Sequence, residues 1–167
     1  MISQTHRPAV QREPPRLGLL KVVNPVFAAV LRSPLHGLLD AGFRPRLLLL
    51  TIPGRRTGRR YRIVVARHDL DGGVSILTSM PWRLNARGGA DVEVTYHGRT
   101  RPARAVLVED PDEVADAYAA EIDRIGRRAA LRRLGVRINV RRTPTHEELV
   151  EAVNHEHLSL IRLRSPS

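Results

Sequence analysis

The chain has 167 residues, 42% hydrophobic and 27% charged, a composition that suits one soluble domain with a real core and leaves little room for two. It contains no cysteine, which excludes a disulfide framework, a thiolate metal site and a cysteine nucleophile. Its formal net charge is +11, a surplus that concentrates anionic partners, whether phosphate ligands, nucleic acid or acidic lipid.

That surplus is local. Residues 1–68 hold 13 Lys and Arg against Glu13 and Asp40, while the 15 arginines and 15 acids from residue 69 onward cancel. Every cation except Lys21 is an arginine, whose planar fork matches phosphate oxygens two at a time. A compositional bias toward Arg would give the same count.

In chain order, residues 1–24 read as an arm and 25–167 as a single domain. The stretch "LGLLKVVNPVFAAVL" is interrupted by Lys21 and by Asn24-Pro25, well short of the roughly 20 apolar residues that a bilayer demands. It also lacks the cleavage pattern of a secretory signal, so a cytoplasmic location is expected. Short helices fit better: Asn24 before Pro25 and Ser33 before Pro34 are cap and first-turn residues in the right order. An apolar, weakly basic helix of this kind could also rest peripherally on a membrane.

Residues 46–52, "RLLLLTI", read as a buried strand, and residues 61–67, "YRIVVAR", as a β-branched one. Asp71-Gly72-Gly73 is a turn before a third strand, and His97-Gly98 separates two more within residues 90–109. Five short strands over residues 46–108 predict an antiparallel sheet curled into a barrel. The period then changes to that of a helix. Val114, Tyr118, Ile122, Ile125 and Ala129 form one apolar face, acids lead, arginines trail, and Gly135 stops it. Thr145 and Glu148 predict a capping box opening a helix to Val153, and "LSLIRL" returns as a last strand. The fold class is thus α+β, a small barrel with helices before and after it.

Hydrolytic chemistry finds little support. Glu109, Asp110, Asp112, Glu113 and Asp116 are spaced to open a helix rather than to flank a glycosidic bond. There is no G-x-S-x-G elbow. His155 and His157 would share a face if they lay in a strand, but no third metal ligand is near, and polar surface is the simpler reading.

The turn "TIPGRRTGRRYR" gathers more. Gly54 and Gly58 let the backbone bend, Thr57 offers a hydroxyl, and Arg55, Arg56, Arg59 and Arg60 offer forks. It is not a Walker A loop, because the G-x-x-x-x-G-K-[ST] spacing and the lysine are missing. A plain hairpin with a solvated basic tip accounts for it equally. Only Tyr61 lies among these arginines, which disfavours a single-strand nucleic-acid reader.

The strand and turn "LLLLTIPGRRTGRRY" resembles the L-L-T-x-x-G-R-x-[ST]-G element of the deazaflavin-dependent nitroreductase family, a branch of the split β-barrel flavin and deazaflavin oxidoreductases. "LRSPLHGLL", "WRLNARGGADVEV" and "EDPDEVADAYAAEI" resemble its neighbouring elements, so the likeness spans about residues 25–135. It implies a split β-barrel (FMN-binding split barrel-like) and an oxidoreductase. Reduced coenzyme F-420 would then pass hydride to a small-molecule acceptor such as a nitroaromatic, quinone or enone. Arg55, Arg56, Thr57 and Gly58 match the motif and take its phosphate role, with Arg59 and Arg60 adjoining and Tyr61 placed to face the ring system. Trp82, Asn85 and Arg87 match the second element and would wall the cofactor groove, although a core anchor explains Trp82 equally well. The resemblance nominates no catalytic residue and no metal, since hydride transfer belongs to the cofactor. FMN, haem or a fatty acid could occupy such a groove instead. A homodimer is expected by analogy with the clan.

Overall fold

The computed structural model describes residues 8–13 and 47–166. The helices expected around Asn24-Pro25 and Ser33-Pro34, and "LRSPLHGLL", lie outside them. The described residues fall into two compact units, one of 8–13 with Glu109–Leu158 and one of 47–108 with 159–166.

The second unit is the sheet. Its strands are β2 (Leu47–Pro53), β3 (Arg60–Ala66), β4 (His68–Leu70), β5 (Gly73–Thr78), β6 (Ala90–Tyr96), β7 (Arg99–Val108) and β9 (Ser159–Arg164). All pairings are antiparallel, in the order β3-β2-β6-β7-β9-β5-β4. This order puts β3 and β4 at opposite edges, yet Arg67 alone separates them along the chain. Laid flat, such a sheet would be about 29 Å wide, whereas one intervening residue reaches no more than about 7 Å. The sheet must therefore curl until its edges meet, and β3 does touch β5. The result is a split barrel, and the fold class is α+β.

The alternation of each strand fills the barrel. Leu48, Leu50 and Ile52 of β2, Val65 of β3, Ile76 of β5, Val92 of β6, Ala105 and Leu107 of β7, and Ile161 of β9 form one buried cluster. Between β5 and β6, Pro81–Ala86 forms a 3-10 helix that adds Ala86 to this core, with Trp82 and Leu84 packed against it. Leu49 and Thr51 are buried on the other face of β2, which explains why this strand reads as a continuous apolar run.

The first unit holds β1 (Val10–Arg12), β8 (Val136–Ile138) and the helices α1 (Pro111–Ile125), α2 (Arg127–Leu134) and α3 (His146–Glu156). β1 and β8 form a separate two-stranded sheet, Val10 opposite Ile138. Asp110 caps α1 by accepting the Asp112 N–H, and the capping box at Thr145 and Glu148 is complete.

One expectation needs correction here. The helix expected to run unbroken to Gly135 is divided at Gly126, whose φ of 81° and ψ of 152° belong to glycine's own region. The break re-phases the apolar face, so Ala130 and Leu134 are buried in α2 and Ala129 only partly. His155 and His157 are exposed, in keeping with the polar-surface reading, and do not share a strand. His155 lies in the last turn of α3, and His157 ends that helix at a left-handed φ of 57°, so the local backbone separates what a period of two would align. Among the described residues, no helix is long and apolar enough to cross a membrane.

Candidate functional site

The Gly-Arg turn connects β2 to β3 at one end of the barrel. Its frame is two backbone hydrogen bonds, Gly54 N–H to the Arg59 carbonyl and Gly58 N–H to the Gly54 carbonyl, both 2.8 Å. The two glycines serve different needs. Gly58 takes a φ of 66°, which side-chain-bearing residues rarely adopt. At Gly54 the demand is space, because a Cβ there would lie 2.7 Å from Cε2 of Tyr61 and 3.3 Å from the Arg59 carbonyl oxygen.

Thr57 Oγ1 accepts the Arg59 N–H at 3.3 Å, a bond that closes the turn and leaves the hydroxyl proton to be given elsewhere. The Arg55 N–H donates to Asn85 Oδ1 at 3.1 Å. This bond ties the turn to the 3-10 helix and brings together two segments thirty residues apart in the chain. Arg87 caps that helix in extended backbone, its N–H bonded to the Leu84 carbonyl.

The sequence-nominated residues divide by environment. Arg55, Arg56, Thr57, Gly58, Arg59, Arg60, Tyr61 and Arg87 are exposed, whereas Trp82 and Asn85 are partly buried. Trp82 packs on the barrel core, so much of its ring serves the fold. Tyr61, 42% exposed, has its ring edge over Gly54. Arg60 pairs with Glu93 of β6 at 2.9 Å. Among the described residues, no carboxylate pairs with Arg55, Arg56 or Arg59.

This arrangement can hold an anion. Three guanidinium forks stand on it, and a turn framed by backbone hydrogen bonds on a packed barrel fixes their bases. Glu93 was not foreseen. It withdraws Arg60 from the set at a modest gain, since an exposed pair is worth about 0–1 kcal/mol. Thr51 faces Arg62 on one side and Glu93 on the other, so only the pairing of β2 with β6 reveals that Glu93 belongs here. Among the described residues, no cluster of three or more His, Cys, Asp or Glu could hold a metal ion.

No protein-family model matches the chain, and no curated protein matches it. Among solved structures, the chain is similar to a mycobacterial protein described as a domain-swapped dimer, at 14% identity and a TM-score of 0.46. The likeness covers 86% of this chain and 98% of that one.

Proposed function

We propose that the Gly-Arg end of the barrel binds the phosphate-bearing tail of the deazaflavin coenzyme F-420, and that the protein is an oxidoreductase acting on a small organic acceptor. The observation that carries this reading is the bond from the Arg55 N–H to Asn85 Oδ1. It joins the two segments that resemble the family's cofactor elements, beside guanidinium groups that no carboxylate among the described residues neutralises.

When bound, the coenzyme supplies the hydride. The chain's own part is to bind and orient. Arg55, Arg56 and Arg59 would take phosphate oxygens through their forks, and Thr57 would give its free hydroxyl proton to one more. Asn85 acts through the backbone by fixing where Arg55 leaves the turn. Trp82, held by the core, offers an immobile wall, and Tyr61 limits the turn on its outer side. The acceptor would be a nitroaromatic, a quinone or an enone, each reduced by hydride and a proton.

The experiment is to supply reduced coenzyme with a quinone or a nitroaromatic and follow the return of the oxidised deazaflavin's absorbance. Acceptor-dependent turnover that falls in Arg56→Ala supports the proposal. No turnover with either acceptor, or turnover that Arg56→Ala leaves unchanged, overturns it. FMN also carries a phosphate, so the same assay with reduced FMN identifies which isoalloxazine-like ring the site takes.

A further inference from the structure

A second basic site lies at the other end of the barrel. Along β6, Glu93 is tied toward the Gly-Arg turn through Arg60, while Tyr96 leads into the His97-Gly98 turn at the far end. At that far end is a groove of about 610 Å³, within the usual range for small-molecule sites. Its apolar walls are Val74, Val94, Tyr96, Ala103 and Leu163, and its cations are Arg99, Arg101 and Arg164. Among the described residues, no carboxylate lines it.

The groove follows from the ladders. β7 pairs with β6 from Arg99 to Ala105, but its pairing with β9 covers only Arg104 to Val108. Among the described strands, residues 99–103 of β7 therefore have β6 alone beside them. Strand alternation then puts Arg99, Arg101, Ala103 and Ala105 on one face, and Ala105 is fully buried in the core. Two cations thus stand at the mouth of a path whose deeper positions are alanines. Arg67, also at this end, is already engaged, 2.7 Å from Asp69 and with its guanidinium 4.9 Å from the centre of the Tyr96 ring. Among the described residues, no carboxylate pairs with Arg99, Arg101 or Arg164.

We infer that this groove binds an amphipathic anion: one carboxylate or phosphate head held by Arg99 and Arg101, with an unbranched apolar body inside the barrel mouth. A neutral apolar molecule would leave the guanidinium groups of Arg99 and Arg101, both exposed, to water alone. A small inorganic anion would leave Val74, Val94 and Leu163 in water. Only a ligand with both parts answers both. The site is independent of the proposed coenzyme site, since the two occupy opposite ends of the barrel.

The test is calorimetric titration of the full chain with decanoate, decyl phosphate and decanol, each below its aggregation limit. Saturable binding of decanoate or decyl phosphate, with decanol about tenfold weaker or worse, is expected from the loss of charge-assisted hydrogen bonds. The tighter of the two anions identifies the headgroup. Arg101→Ala, at an exposed position, should weaken the anions by about tenfold and leave decanol unchanged. Ala103→Leu should fill the groove and remove binding of all three. Equal affinity for decanol and decanoate, unchanged affinity in Arg101→Ala, or no saturable binding of any probe would overturn the inference.

Discussion

Gly54→Ala probes the frame of the Gly-Arg turn most directly. The added methyl would sit 2.7 Å from Tyr61 Cε2 and 3.3 Å from both the Arg59 carbonyl oxygen and Thr57 Oγ1. The Tyr61 ring is 42% exposed and can swing outward at small cost. The Arg59 carbonyl cannot retreat freely, because it accepts the Gly54 N–H at 2.8 Å. Overpacking costs about 1–3 kcal/mol where neighbours are fixed, so with one neighbour free to move, about 1–2 kcal/mol is expected. The Arg55 and Arg56 bases move with the distorted turn, and coenzyme affinity should fall about tenfold, the equivalent of about 1.4 kcal/mol. Urea unfolding measures the first effect and coenzyme titration the second. Tyr61→Ala in the same chain removes the closest clash, so the double variant should regain part of the lost stability, a coupling that a double-mutant cycle isolates. Wild-type stability and affinity in Gly54→Ala would refute the steric account of this turn.

Other positions give sharp expectations. His146 directs Nε2 to Asp112 at 2.7 Å and Nδ1 to Asp116 at 3.1 Å, and the hydrogen bond to Asp112, more than the added charge of Asp116, raises its pKa above 6.5. The stabilisation is complete below the unfolded value and is lost as pH rises through the raised folded value. Urea midpoints from about pH 6 to about pH 9 should therefore fall more in the wild type than in His146→Ala. Glu148 behaves in the opposite sense. The Arg142 hydrogen bond first, then the Thr145 N–H, lowers its pKa to about 2, so its contribution is present above the unfolded value and lost as pH falls toward 2. Glu148→Gln should flatten that acid limb in a midpoint-against-pH series. Gly126→Ala places a side chain at φ 81° with nothing near it to clash, so the cost is backbone strain alone, about 1–3 kcal/mol in urea unfolding. Arg60→Ala should reduce coenzyme affinity less than Arg56→Ala, because Glu93 already engages Arg60.

The strands were legible because their signals are local. The continuous run of β2 marks burial on both faces, and the Gly-bearing pairs at residues 71–73 and 97–98 mark turns whose positive φ values the structure contains. Gly126 escaped because a 3.6-residue apolar rhythm continues across it in the letters, while only the backbone shows that the phase has changed. The closure at Arg67 was hidden for a similar reason. "YRIVVARHDL" reads as one extended stretch, and nothing in it says that its two halves lie at opposite edges of a sheet. β1 and β8 are three residues each, too short for any period. At the candidate site, the arginines, Thr57 and the glycines could be read from the turn itself, but the link from Arg55 to Asn85 and the diversion of Arg60 to Glu93 depend on strand pairing. The far groove was invisible in the sequence, where Arg99 and Arg101 look like an ordinary solvated strand until Ala105 is found inside the barrel.

The most direct measurement is a fluorescence titration of the purified chain with coenzyme F-420, repeated with Arg55→Ala, Arg56→Ala and Arg99→Ala. Saturable binding, weakened about tenfold in the first two variants and unchanged in the third, is the expected result. Absence of saturable binding, or equal affinity in all four proteins, would contradict the claim that the Gly-Arg turn holds the coenzyme's phosphate.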